Sequence, residues 1–195
     1  MKKIIYSPGE PSGIGPDLII KLSSSKLWED LKIPIVSIGD QKLFVDRAAL
    51  LKKKIKIVEI ESLNELSKNT IGVIQIIKVT KCSNTRPGKL FKSNAQYVLD
   101  NLTYSIKQTM QNEETALVTG PLSKENIISI DKLFTGHTEY IKKITKSKDV
   151  LMMLASDQLR VALSTTHIPL KNVSRTCLLY TSDAADDLLC VDLGG

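Results

Sequence analysis

The chain has 195 residues, a formal net charge of +6 at pH 7 and 42% hydrophobic residues. This length suits one domain, or one domain with part of another, and the apolar content suffices for a buried core. No apolar run reaches the about 20 residues of a membrane span, and the first run is too short for a signal peptide. We therefore expect a cytoplasmic protein with no membrane partner.

Nucleic-acid binding would need a basic stripe with interleaved aromatic residues. Aromatic residues are 5% of the chain, so no nucleic-acid partner is expected.

The end of the chain differs in composition from the rest. Residues 176–195 contain no Lys or Arg, and they hold two of the three cysteines. We interpret residues 176–195 as a non-native tail, with an ordinary divergent helix as the alternative, and exclude them from functional reasoning. The three cysteines show no pairing pattern, which favours a reducing compartment and argues against a disulfide framework or a zinc site.

The chain opens with a predicted strand over residues 3–7, a glycine-rich turn and a helix through residues 18–22. Asp40 is placed to cap a second helix, and Ser123 to cap another that begins at Lys124. Helical spacing of apolar residues predicts a long helix over residues 93–110. Further strands are predicted over residues 33–38, 55–60, 71–79, 116–119, 150–155 and 160–164. Alternating apolar strands and helices indicate an α/β fold with a largely parallel sheet flanked by helices.

The first candidate site is the glycine-rich turn over residues 9–17. Such a turn before a helix can bind phosphate through backbone N–H groups. Its spacing is neither the dinucleotide fingerprint nor a P-loop, so a purely structural turn is favoured. Glu10 and Asp17 are candidate site carboxylates, although a favourable charge at the helix start explains Asp17 equally well.

The second candidate is Lys124, in the first turn of its predicted helix. A cation there opposes the helix dipole, and this placement requires an explanation. An anionic ligand is one explanation, and a solvated lysine is the alternative.

The third candidate is Thr135-Gly136-His137-Thr138-Glu139. His137 and Thr138 can donate hydrogen bonds to a phosphate or carboxylate, and Thr138 can cap a helix that begins near Glu139. The other histidine, His167, follows two threonines. We expect both histidines to lie in one polar pocket at the carboxyl edge of the sheet. Taken alone, His167 is more often structural than a metal ligand.

These segments occur together, in this order, in one family. The chain resembles the 4-hydroxythreonine-4-phosphate dehydrogenases of pyridoxal phosphate biosynthesis, from about residue 3 to about residue 174. The matching segments are Pro8-Gly9-Glu10-Pro11-Ser12-Gly13-Ile14-Gly15-Pro16-Asp17, Thr119-Gly120-Pro121, Phe134-Thr135-Gly136-His137-Thr138-Glu139, Val150-Leu151-Met152-Met153-Leu154-Ala155 and Arg160-Val161-Ala162-Leu163-Ser164-Thr165-Thr166-His167-Ile168-Pro169-Leu170.

The resemblance implies a two-domain fold like that of isocitrate and isopropylmalate dehydrogenases, with a cleft between the domains and a homodimeric assembly. Residues 1–175 are then the N-terminal part of such an enzyme, and the chain is truncated. The implied reaction is the NAD-dependent, divalent-metal-dependent oxidation of 4-phosphooxy-L-threonine with decarboxylation, the metal being Zn, Mg or Co.

The resemblance also implies roles for three residues. His137 and Thr138 match the family's substrate-binding pair, and His167 matches the first of three histidine metal ligands. In the family the other two ligands and much of the NAD site come from the second half of a longer chain, so no catalytic or cofactor-binding residue is assigned. We expect the chain by itself to be inactive and to expose an apolar surface.

Three other functions remain open. A related dehydrogenase could act on threonate or erythronate 4-phosphate, since the motifs do not discriminate the substituent at C2. An acyl-phosphate acyltransferase on a similar scaffold would need neither metal nor nicotinamide. The chain could also be a non-catalytic phosphate-binding module.

Overall fold

The computed structural model describes residues 2–148, 150–163, 165 and 168–173. The chain divides into two units between residues 147 and 148. The predicted boundary at residue 175 and the predicted non-native tail lie outside the described residues. No helix in the described part of the chain combines the length and the apolar character needed to span a bilayer.

The first unit is built on a five-stranded parallel sheet. Its strand order is β3-β4-β2-β1-β5. The strands are β1 (Lys3–Ser7), β2 (Ile35–Ile38), β3 (Lys56–Glu59), β4 (Val73–Ile77) and β5 (Thr115–Thr119). Strand β1 pairs with β2 on one side and with β5 on the other, with Ser7 opposite Thr119. All five carboxyl ends therefore lie at one edge of the sheet.

Helices cover both faces of this sheet. They are α1 (Gly15–Ser23), α2 (Lys26–Asp30), α3 (Gln41–Leu50), α4 (Ala95–Gln111), α5 (Lys124–Ile128) and α6 (His137–Thr145), with a 3₁₀ turn at Lys92–Asn94 before α4. Side chains of α1, α2 and α3, among them Ile20, Trp28 and Phe44, pack with strand residues of one face. On the other face strand residues pack with Tyr104 of α4 and with residues 60–66. Near-continuous apolar strands require this two-sided cover.

The second unit contains an antiparallel hairpin of β6 (Met152–Ala155) and β7 (Arg160–Leu163), followed by a 3₁₀ turn at Leu170–Asn172. Met152 lies opposite Leu163, and Ser156 N donates to Leu159 O at 2.7 Å across the turn. Both strands were predicted. Their antiparallel pairing was not predicted, because a largely parallel sheet was expected. The connection over residues 156–159 is too short for a parallel crossover, which needs a dozen or more residues.

Most predicted elements are confirmed within two or three residues. Asp40 caps α3 by accepting from Lys42 N at 3.0 Å, and Ser123 caps α5 by accepting from Asn126 N at 3.3 Å. The short helix α2 was not predicted. It is positioned by Trp28, whose side chain is only 1% exposed. The α/β fold with a largely parallel sheet is confirmed.

Candidate functional site

The candidate site lies at the carboxyl edge of the sheet, where β1 and β5 end side by side. The glycine-rich loop over residues 8–14 follows β1, and residues 120–123 follow β5. Glu10 N donates to Pro121 O at 3.0 Å, which joins the two loops. Ligands of open parallel sheets bind outside this edge, at the ends of neighbouring strands.

Two glycines allow the loops to approach this closely. Gly9 has φ +79°, and a Cβ there would lie 2.2 Å from Pro121 O. A Cβ on Gly15 would lie 1.8 Å from Pro8 O. A side chain at either position would displace backbone, so the glycines of this turn are needed for packing. The structural interpretation of the turn accounts for them without a ligand.

The two candidate carboxylates of this loop are engaged within the protein. Glu10 is 4% exposed. Its Oε1 accepts from Ser12 N at 3.1 Å, and its Oε2 accepts from Asn126 Nδ2 at 3.2 Å. Glu10 thereby ties the loop to α5. Asp17 Oδ1 accepts from Arg47 Nη1 at 2.6 Å.

Arg47 was missed as a determinant of the site. Its guanidinium, on α3, is buried and donates to Gly13 O at 2.9 Å and to Pro11 O at 2.7 Å, besides Asp17. Arg47, on α3, therefore fixes the conformation of the glycine-rich loop. A signal existed in the sequence: Arg47 lies between Phe44 and Ala48 on the apolar stripe of α3, where an arginine needs several acceptors.

His137 and Thr138 form the first turn of α6. The helix begins at His137, with Gly136 as the preceding residue, and no described side chain caps it. The helix thus begins two residues before the predicted start near Glu139, and the predicted capping role of Thr138 is wrong. Thr138 lies inside the first turn, where its hydroxyl cannot act as an N-cap. The first N–H groups of α6 are thus available to an anion.

His137 does not directly follow a strand of the sheet. It follows α5 and a turn that ends at Phe134. Phe134 is 3% exposed and packs against the Tyr140 ring at 5.5 Å. The Tyr140 and Thr103 hydroxyls lie 2.7 Å apart. These contacts hold α6 against α4 and fix the position of its first turn.

His137 is half-buried and lies near Lys124. Burial, and secondarily the positive charge of Lys124, lower the pKa of His137 below its ordinary value of 6.5. The imidazole is therefore largely neutral at pH 7, with one N–H available as a hydrogen-bond donor. A neutral donor beside a lysine suits an anionic ligand.

His167, the predicted metal ligand, lies outside the described residues, as does Thr166. The predicted pairing of His137 with His167 therefore stays a prediction. Within residues 2–148 and the described part of the second unit, no group of three His, Cys, Asp or Glu side chains is arranged to hold a metal. We assign no metal step to the described residues.

A separate cleft of about 720 Å³ lies beside α3 and is lined by Lys42, Leu43, Asp46 and residues 81–85. Cys82 lines this cleft, and its backbone N donates to Asp40 Oδ2 at 2.9 Å. Burial, with smaller contributions from Asp40 and Glu10, raises the pKa of the Cys82 thiol to about 12. This thiol stays protonated at pH 7, so Cys82 is not an activated nucleophile.

Comparisons with known proteins agree with this fold. Residues 30–180 match the family model described as pyridoxal phosphate biosynthetic protein PdxA. The chain is 36% identical over 174 residues to the 4-hydroxythreonine-4-phosphate dehydrogenase of Citrobacter koseri, covering 89% of this chain and 52% of that protein. It thus spans about half the length of this curated relative.

Solved structures of two other relatives share the fold. The 4-hydroxythreonine-4-phosphate dehydrogenase of Klebsiella pneumoniae superposes with a TM-score of 0.79 at 27% identity, over 90% of this chain and 54% of that one. The enzyme of the same name from Burkholderia phymatum gives a TM-score of 0.78 at 25% identity, over 90% and 53%. The resemblance inferred from the motifs is confirmed, and the chain belongs to the PdxA family of pyridoxal phosphate biosynthetic proteins.

Proposed function

We propose that this chain supplies the substrate-phosphate site of a 4-hydroxythreonine-4-phosphate dehydrogenase. The observation that carries this proposal is the first turn of α6. This turn carries uncapped backbone N–H groups, the half-buried His137 and the Thr138 hydroxyl. The chain that carries it belongs to the PdxA family.

The chemistry of these donors suits a phosphate ester. Backbone N–H groups and the positive end of α6 favour negative charge. The neutral imidazole and the hydroxyl each add one directed donor. Together they would hold the phosphate end of 4-phosphooxy-L-threonine and direct its C3 hydroxyl away from the first turn of α6.

NAD dependence, divalent-metal dependence and decarboxylation are part of this proposal through the family resemblance. His167 is the residue that we assign to the metal, which would be Zn, Mg or Co. We also propose a homodimer in the cytoplasm for the enzyme of the relatives' full length. Assayed by itself, the 195-residue chain is expected to form no NADH, because the resemblance places the remaining ligands outside the matched half.

The proposal is tested by calorimetric titration of the 195-residue chain with 4-phosphooxy-L-threonine. A hydrogen bond to a charged group contributes about 1.5–3 kcal/mol, so His137→Asn and Thr138→Val should each weaken binding by about 10-fold or more. Thr70→Val changes an exposed hydroxyl ahead of β4 and should leave binding unchanged.

The outcomes separate the alternatives. Unchanged binding in both His137→Asn and Thr138→Val would refute the assigned site. Equal or tighter binding of threonate or erythronate 4-phosphate would favour the related dehydrogenase. Binding without NADH formation in a protein of the relatives' full length would favour a non-catalytic phosphate-binding module.

A further inference from the structure

Lys124 is the first residue of α5, and its ammonium group lies beside the residue that precedes His137. A Cβ built on Gly136 would lie 3.6 Å from both Cε and Nζ of Lys124. The same Cβ would lie 3.2 Å from Oε2 of Glu139. The absence of a side chain at Gly136 thus lets a cation approach the first turn of α6.

In this placement the Lys124 ammonium and the Glu139 carboxylate lie on either side of Gly136 without a direct ion pair. Lys124 stands at the positive end of α5 and close to the positive end of α6. Its ammonium forms no ion pair within 4 Å with any residue in the part of the chain described by the structure. Its charge also contributes to the lowered pKa of His137. Three positive features therefore lie beside a single carboxylate, that of Glu139.

The position of Lys124 is fixed by the rest of α5. Asn126 Nδ2 donates to Glu10 Oε2 at 3.2 Å and to Phe91 O at 3.0 Å. Ile127 is 1% exposed. These buried contacts of Asn126 and Ile127 hold the backbone of α5, while the Lys124 side chain is exposed to an incoming ligand.

We propose that Lys124 is a further substrate-binding residue, whose ammonium pairs with the phosphate group held by His137 and Thr138. This inference rests on the function proposed above and extends it. The backbone N–H groups, the imidazole and the hydroxyl supply directed donors but no full charge. Lys124 supplies the cation that a phosphate dianion requires, and it reaches the phosphate from α5, across Gly136.

The test uses inorganic phosphate as the probe and the 195-residue chain as the protein. Phosphate affinity is measured at constant ionic strength by following the imidazole proton resonances. The chain has two histidines, and the His137→Asn variant identifies which resonance belongs to each. Lys124→Gln is expected to weaken phosphate binding by about 10-fold or more, the range of a charge-assisted hydrogen bond. Lys124→Arg, which keeps the charge, is expected to restore most of the affinity.

Lys132→Gln is the matched control, because Lys132 is an exposed lysine in the connection between α5 and α6. It should change the affinity less than twofold. A second readout is independent of the ligand: without phosphate, Lys124→Gln should raise the pKa of His137, since a neighbouring positive charge is removed. A general loss of structure would instead move that pKa to the ordinary histidine value in Lys124→Gln and Lys124→Arg alike.

The outcomes distinguish the two proposals. If Thr138→Val weakens phosphate binding and Lys124→Gln binds as the unaltered chain does, the role of Lys124 is refuted and the proposed site survives. If Lys124→Gln and Lys132→Gln weaken binding equally, only the net charge matters and the role is again refuted. If the unaltered chain binds no phosphate, both proposals are overturned.

Discussion

Arg47 is the single side chain on which the conformation of the glycine-rich loop depends most. Its guanidinium is 4% exposed and has three acceptors, which are the carbonyls of Pro11 and Gly13 and the carboxylate of Asp17. Removing one member of a buried charged group leaves its partners unsatisfied, at a cost of about 3–5 kcal/mol. The loop before α1 is therefore held by an arginine that is 30 residues or more distant in sequence.

We predict that Arg47→Met lowers the free energy of unfolding by about 3 kcal/mol, measured by urea denaturation. The control is Lys42→Met on the same helix, α3. Lys42 pairs with Asp46, but these side chains are 75% and 54% exposed, so the loss should be far smaller than that of Arg47→Met. Equal losses in the two variants would contradict the structural role of Arg47.

Asp17 and Thr138 show where reasoning from the sequence alone fails. Asp17 was explained equally well by a helix-end charge or by a binding role, because its partner on α3 is not visible in the local sequence. The capping role of Thr138 failed for a related reason. The helix start depends on how Phe134 and Tyr140 pack against α4, and local propensity does not contain that contact.

At the scale of elements, the site depends on the turns that follow β1 and β5. Both Gly15 and Gly120 face Pro8 O: a Cβ on Gly15 would lie 1.8 Å from it, and one on Gly120 would lie 2.3 Å from it. The start of α1 and the end of β5 therefore converge on one carbonyl. This close packing aligns the two loops at the sheet edge.

We predict that Gly15→Ala destabilises the protein by about 2–3 kcal/mol, because backbone atoms must move to admit the methyl group. Gly13→Ala is the matched control within the same loop. Its Cβ would meet Glu10 O at 3.2 Å, so a small adjustment suffices. The check is the difference in urea midpoint between the two variants, and a larger effect at Gly13 would contradict the packing described.

At the scale of the whole molecule, the edge of the parallel sheet formed by β5 favours contacts between chains. In the described part of the chain, β5 pairs with β1 on one side and with no strand on the other. Beside it, a small apolar cavity of about 170 Å³ is bordered by Leu18 and Val118, which are 49% and 45% exposed. An open edge next to exposed apolar side chains favours association between chains.

We predict that the 195-residue chain self-associates with rising concentration, as measured by sedimentation velocity, and that Val118→Lys reduces this association. Val45→Lys is the control, since Val45 is 47% exposed and lies on α3, away from β5. A chain that stays monomeric at all concentrations tested, or an equal effect of both substitutions, would contradict this prediction.

The sequence by itself determined the α/β class, most elements of the parallel sheet and the family. Apolar strand runs, helical spacing and capping residues are local signals, and ordered motifs are specific when they occur together. Only the tertiary structure decided that Arg47 holds the glycine-rich loop, that β6 and β7 form a hairpin, and that Lys124 lies beside the first turn of α6. These facts depend on contacts between residues distant in the chain, and such contacts arise only when helices pack on the sheet.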